Sequence, residues 1–217
     1  MNKPEILKNT EAFVKETLKN AEGGHDWFHI QRVWNNAKLI AKNENADLFI
    51  VELGALLHDI ADSKFHNGDE TVGPKMASTF LQKQQVDAEA IDHVVKIIEN
   101  VSFKGGNVQQ EFNSIELEIV QDADRLDALG AIGIARTFNY GGFKERALYN
   151  PEIKPKLNMS KEEYKASAAP TINHFYEKLL LLKERMNTKT GQEIAQKRHD
   201  FMELYLEQFY EEWNGKV

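Results

Sequence analysis

The sequence predicts an all-α protein, and three observations carry that prediction. Apolar residues recur at spacings of three and four in one segment after another, which is the period of a helix with one buried face. Residues that cap helix N-termini stand in front of several of these segments, and the connections between successive segments are short.

The first helix is expected over residues 4–20, where Ile6, Leu7, Phe13, Val14 and Leu18 recur near helical spacing and Pro4 suits a first turn. After Gly23-Gly24 a second follows, with Asp26 as its N-cap and Phe28, Ile30, Val33, Trp34, Ala37, Ile40 and Ala41 repeating at three and four. His29 borders that stripe. A third helix opens on Asp47 and runs through Leu48, Val51 and Leu56 into His58-Asp59. Short loops make the second and third antiparallel, so His29 near the start of one and His58 near the end of the other can share one end of a bundle. Pro74 opens another helix, and Asp87 caps the next, with Ile91, Val94, Val95 and Ile98 as its buried side. Ser102 to Ser114 reads as a polar loop, either an active-site rim or plain surface.

Ile115 to Ala135 is read as one helix, with Val120, Ala131 and Ile134 on a stripe that also takes in Asp124 and Asp127. Carboxylates on a core-facing stripe need a cation, either a metal or an arginine elsewhere in the fold, since Arg125 points about 100° away from Asp124. Asn139 to Ser160 is expected to be irregular. Its Tyr140, Lys144 and Arg146 either stack on a base and neutralise phosphate or cover a hydrophobic flank. Ser160-Lys-Glu-Glu163 and Thr190-Gly-Gln-Glu193 have capping-box form and are read as opening two long helices. The first contains Leu179, Leu182 and Met186, and the second Phe201, Leu204, Phe209 and Trp213; they complete the core, with dimerisation as a secondary role.

Composition bounds the function. A chain of 217 residues, 41% hydrophobic and 28% charged, without a linker, repeat or low-complexity tract, is read as one soluble globular domain spanning 1–217. A net charge of −7 with no basic block argues against duplex DNA and anionic membranes, though not against a small phosphorylated ligand held by local cations. There is no cysteine, which removes disulfides, thiolate nucleophiles and sulfur-ligated metals. Met1-Asn-Lys-Pro-Glu5 shows no basic-then-apolar signal, and the expectation is a cytoplasmic protein.

Three His-Asp pairs occur, and context separates them. His199-Asp200 lies among Gln196, Lys197, Arg198 and Glu203 and reads as a solvated face. In His25-Asp26 the aspartate is the cap. Only His58-Asp59 ends an apolar segment, where unpaired ionisable groups would cost several kcal/mol, so a metal is the expected partner. His29, His58, Asp59 and Asp124 offer nitrogen and oxygen ligands suited to Mn²⁺, Fe²⁺, Co²⁺, Ni²⁺ or Zn²⁺ rather than Ca²⁺, with positions left over for water and substrate. Such an ion would lower the pKa of a bound water and polarise a phosphoryl oxygen. Asp62, four residues after His58, is the candidate to orient that water or act as acid/base, and His25 and His93 are left unassigned.

Four segments together resemble one bacterial branch of the HD-domain metal-dependent phosphohydrolases. They are Gly24-His-Asp-Trp-Phe-His-Ile-Gln-Arg-Val-Trp34, Ala55-Leu-Leu-His-Asp-Ile60, Asp122-Ala-Asp-Arg-Leu-Asp-Ala-Leu-Gly-Ala-Ile-Gly-Ile-Ala-Arg136 and His174-Phe-Tyr-Glu-Lys-Leu-Leu180. The resemblance spans essentially the whole chain. It implies an HD-domain helical bundle, its metal site within roughly residues 20–140 and C-terminal helices over roughly 160–213. It further implies His29, His58, Asp59 and Asp124 as ligands of one divalent ion, with Mn²⁺ favoured and Mg²⁺ also admissible, and Asp62 as a catalytic residue. The implied reaction is hydrolysis of nucleoside triphosphates, deoxy forms included, to monophosphate and pyrophosphate. Arg32, Lys64, Arg125, Asp127, Tyr140, Lys144 and Arg146 are the candidate contacts to that nucleotide. The alternatives are an HD-type phosphomonoesterase, a cyclic-nucleotide phosphodiesterase and a nucleotide-binding regulator without chemistry. A monomer and a homodimer are both compatible with the sequence.

Overall fold

The structure is a computed structural model that describes residues 2–19, 21, 24–61, 69–101, 112–160, 163 and 166–217, and every regular element among them is helical. The chain divides into two compact units, Met1–Asp124 and Arg125–Val217.

The first unit contains α1 (Lys3–Thr17), α2 (Trp27–Ala41), α3 (Leu48–Leu57), α4 (Val72–Lys83), α5 (Ala88–Val101) and all but the last two residues of α6 (Ile115–Leu126). Its centre is α3, which is apolar all round because it is covered all round: α1, α2 and α5 pack on it, and eight of its ten residues are buried. The expected caps hold. Asp26 Oδ1 accepts from the His29 amide at 2.9 Å, Asp47 Oδ1 from that of Phe49 at 2.8 Å, and Asp87 Oδ1 from that of Ala90 at 2.9 Å. On α5 the buried face is Ile91, Val94, Ile97, Ile98 and Val101, with Val95 only half-buried. The Asn36 amide reaches from α2 to the Ala123 carbonyl at 3.2 Å, one of the last-turn carbonyls of α6 that have no partner within their own helix.

The second unit holds α7 (Gly130–Phe143), the short α8 (Asn173–Glu177), two 3₁₀ turns at Leu179–Leu181 and Lys183–Arg185, and the long α9 (Lys189–Trp213). Several expectations are corrected here. Ile115 to Ala135 is not one helix: the chain turns at 127–129 and restarts at Gly130, whose φ of +68° is open to glycine and strained for other residues, and Ala131 is exposed. Asn139 to Phe143 is the end of α7 rather than loop.

The Ser160–Glu163 capping box forms, with reciprocal bonds of 2.8 and 3.1 Å, yet no long helix carries Leu179, Leu182 and Met186. Pro170 disfavours helix at the residue before it and donates no amide, and between it and α9 the described helical elements are α8 and the two 3₁₀ turns. Finally, α9 is capped by Thr188, whose Oγ1 accepts from the Gly191 amide at 2.9 Å, rather than by Thr190. Its buried side is Ala195, His199, Met202 and Leu206, while Phe201 and Leu204 are 48% and 61% exposed. His199, expected on a solvated face, is therefore a core residue, its Nε2 3.2 Å from Glu203 Oε1.

No described helix is long and apolar enough to cross a membrane.

Candidate metal centre

Two helix ends meet at the site. Asp26, by capping α2, fixes the first turn that carries His29, which is 3% exposed. At the other end α3 stops at Leu57 and His58 is its C-cap residue, with Nδ1 2.9 Å from the Ala55 carbonyl. A carbonyl only accepts, so Nδ1 carries the proton and the lone pair of His58 lies on Nε2. The His29 and His58 rings stand edge to face, centroids 5.4 Å apart, as the antiparallel arrangement of α2 and α3 predicts.

His29, His58 and Asp59 each offer one ligand atom, and the three atoms lie within 4.8 Å of one another. From the last turn of α6, Asp124 Oδ1 approaches to 3.5 Å from His29 Nε2 and 3.9 Å from His58 Nε2. Those separations are long for hydrogen bonds. They suit two ligands of one ion at about 2.1 Å each, which lie about 3 to 4 Å apart depending on the angle between them. The group of His29, His58 and Asp59 offers two imidazole nitrogens and a carboxylate, a fit for a divalent transition metal, and Asp124 lies beside its two imidazoles. The Asp124 side chain is 40% exposed, so the cluster opens to solvent on that side while both imidazoles are buried.

Asp59 is held further by His25, whose Nδ1 lies 2.5 Å from Asp59 Oδ2. Burial pushes the Asp59 carboxyl upward, but the hydrogen bond from His25 and the nearby His58, His25 and His29 outweigh it and keep the group below its ordinary range. His25 is the residue that sequence reading left without a role. The only signal was its place between Gly24 and the capping Asp26, since its partner lies 34 positions along the chain. His93, also unassigned, bonds Ser114 Oγ at 2.9 Å and lies 3.4 Å from Glu116 Oε2, which is a site separate in composition from the first. Among the described residues His29, His58 and Asp59 form the one group of three or more potential metal-binding side chains.

The candidate substrate contacts fall into several settings. Asp62 and Lys64 lie outside the described residues. Arg32 is half-buried on α2. Arg125 Nη1 donates to the Arg185 carbonyl at 2.7 Å. Asp127 is 1% exposed and accepts from Arg136 Nη1 at 2.6 Å, so the structure gives it the arginine partner that was the alternative to ligand contact. Tyr140, Lys144 and Arg146 come together at the end of α7. Lys144 Nζ and Arg146 Cζ lie 5.7 and 5.6 Å from the Tyr140 ring centroid, and the tyrosine is 51% exposed. Arg146 is anchored by a 2.7 Å bond from Nη2 to the Ser167 carbonyl.

A helical fold with paired His-Asp ligands at one end of α3 defines a class, and comparison with known proteins agrees with it. The HD domain family matches residues 27–129. A solved HD-superfamily hydrolase from Bacillus thuringiensis is 45% identical and superposes with a TM-score of 0.80, covering 98% of this chain and 99% of that one. The chain belongs to the HD-domain superfamily of metal-dependent phosphohydrolases. By sequence it is 40% identical over 215 residues to YpgQ of Bacillus subtilis, an uncharacterized protein, covering 96% of each. YpgQ has been crystallised in complex with ADP, and that structure superposes with a TM-score of 0.75 at 35% identity over 98% of this chain and 97% of that one.

Proposed function

We propose that this protein hydrolyses nucleoside triphosphates, deoxy forms included, to monophosphate and pyrophosphate, using one divalent ion, Mn²⁺ favoured, held by His29, His58, Asp59 and Asp124. The observation that supports the reading is the grouping of ligand atoms from His29, His58 and Asp59, with Asp124 beside both imidazoles and open to solvent. The ADP complex of YpgQ supports a nucleotide as the ligand. When bound, a divalent ion supplies Lewis acidity, which draws the pKa of water toward neutrality and offsets phosphoryl charge.

The chain's own residues do the rest. Buried His29 and His58 offer imidazole nitrogens, and Asp59 and Asp124 offer carboxylate oxygens, a donor set suited to a dication. In the reaction a water oxygen bonds to the α-phosphorus, the bond from that phosphorus to the bridging oxygen breaks, and pyrophosphate leaves. Asp62 takes the proton that the water gives up. Arg32, Lys64, Arg125, Lys144 and Arg146 are the cations proposed to neutralise phosphate charge, and Tyr140 is the ring proposed to stack on the base.

The test is a panel of ribo- and deoxynucleotides against several divalent metals, with products resolved by chromatography. Pyrophosphate and monophosphate are the expected products. Orthophosphate released from monophosphates or ring-opening of cyclic nucleotides would replace this reading with one of the other HD-type activities. Absence of turnover with every metal would leave a nucleotide-binding regulator.

A further inference from the structure

We propose that His25 is a positioning residue of the metal centre: its Nδ1–H holds one oxygen of Asp59, so that the other oxygen is presented to the ion in a single orientation. The proposal rests on the reading of His29, His58, Asp59 and Asp124 as one metal site.

The geometry fixes the direction of the bond. An ionised carboxylate accepts and does not donate, so the proton between His25 Nδ1 and Asp59 Oδ2, 2.5 Å apart, belongs to the imidazole. Asp59 follows the C-cap residue of α3, where no further helical turn restrains its side chain. A carboxylate there rotates about χ1 and χ2 unless something fixes it, and a ligand that must be frozen at the moment of binding weakens the site. His25 supplies that restraint from the segment leading into α2, while His29, four residues on, is itself a member of the cluster.

The local backbone is built to deliver the ring. Gly24 has φ of +118°, a conformation that side-chain-bearing residues rarely adopt, and no neighbour lies where its Cβ would be. The glycine is therefore required by the turn and not by crowding. Immediately after His25, Asp26 caps α2 by accepting from the amide of His29. Three consecutive residues thus act in three different ways. Gly24 makes the turn, His25 reaches across to Asp59, and Asp26 orients the helix that carries His29. The His25 and His29 rings stand edge to face, 6.1 Å between centroids, so the ring that bonds Asp59 adjoins a member of the cluster.

The experiment measures Mn²⁺ affinity directly, by calorimetric titration or by loss of the free-ion electron paramagnetic resonance signal, on the full chain, on three His25 variants, on Gly24→Ala and on the Gly24→Ala/His25→Ala double variant. Asparagine places its amide N–H near the position of imidazole Nδ1, and glutamine near that of Nε2. His25→Ala and His25→Gln are expected to weaken Mn²⁺ binding by about 10-fold or more, whereas His25→Asn stays within about 3-fold of wild type. In a double-mutant cycle Gly24→Ala weakens binding alone and adds little in the His25→Ala background, because the turn acts by delivering the ring. Circular dichroism melts identify any variant that fails to fold, and His25→Asn then carries the test.

Wild-type protein that takes up no Mn²⁺ overturns the metal-centre reading and His25's role with it. Wild-type binding matched by all three His25 variants overturns only the role of His25. Rescue by glutamine and not by asparagine also overturns it, since the active atom would then be Nε2.

Discussion

Asp124 and Asp127 stand three residues apart on the same predicted stripe, and the structure treats them oppositely. Asp127, 1% exposed at the turn after α6, meets Arg136 at 2.6 Å; burial lowers the nearby Arg198 guanidinium, and the charge of Asp127 offsets only part of that. Arg198 also donates to the Leu126 carbonyl at 2.5 Å, so the two arginines brace the turn. Asp124, in the last turn of α6, faces two imidazoles at distances too long for hydrogen bonding and is 40% exposed. One carboxylate is neutralised by protein cations and belongs to the scaffold. The other is the one for which we propose a divalent cation as partner. Nearness in sequence tells nothing of which is which; the partner's chemistry does.

The sharpest way to break that contrast is to remove each carboxylate in turn. Asp124→Ala is expected to lower kcat/KM by about 10³-fold, equivalent to about 4 kcal/mol of transition-state stabilisation, with the melting temperature nearly unchanged. A chelator should abolish turnover in the wild type and divalent metal restore it, while Asp124→Ala should not recover at wild-type metal concentrations. Asp127→Ala leaves Arg136 without its carboxylate and should destabilise the fold by about 3 kcal/mol in urea unfolding. If the two substitutions exchange phenotypes, the division between scaffold and site is wrong.

What the sequence made legible follows the same division. His58-Asp59 behind the apolar run of α3 was readable because burial leaves ionisable groups few options, and the caps Asp26, Asp47 and Asp87 were readable because capping is local. His25 was not, because its role exists only where residue 25 meets residue 59. On α9 the bulk of Phe201 and Leu204 pointed to the wrong face. The buried series Ala195, His199, Met202, Leu206 runs at spacings of four, three and four but includes a small residue and a histidine that look unfit for a core. Pro170 carries a propensity signal against one long helix, and it prevails over the helical spacing of the leucines after it.

The imidazoles sharpen the comparison on a second axis. In the first unit His25, His29, His58 and His93 lie beside carboxylates, and Asp59 is held low; in the second, where His199 lies beside Glu203, His174 is buried near Lys178 and Arg146, and burial together with those two positive charges lowers it from 6.5 to about 4. A histidine depressed by folding takes up a proton more readily when unfolded. Its contribution to stability is therefore complete above pH 6.5 and is lost as pH falls from there toward 4. The loss is on the order of 2 kcal/mol once solvent screening is allowed for. Urea unfolding at pH 7.5 and pH 4.5 measures it, and His174→Phe should remove this part of the pH dependence. Equal losses in the two proteins would assign the effect to other groups.

The smallest effects separate the two ends of the first unit. Asp26 and Asp47 make the same kind of cap, at 2.9 and 2.8 Å, and each should cost about 1 kcal/mol on replacement by alanine. Their consequences for the site differ, because the amide that Asp26 holds is that of His29 itself, whereas Asp47 caps the end of α3 remote in sequence from His58. Asp26→Ala should weaken Mn²⁺ binding several-fold on top of its cost in stability, and Asp47→Ala should leave the affinity unchanged at an equal loss in melting temperature. Matching the two variants for stability isolates the effect of orienting one imidazole, and an equal drop in affinity for both would show that metal binding tracks global stability rather than the fixed first turn of α2.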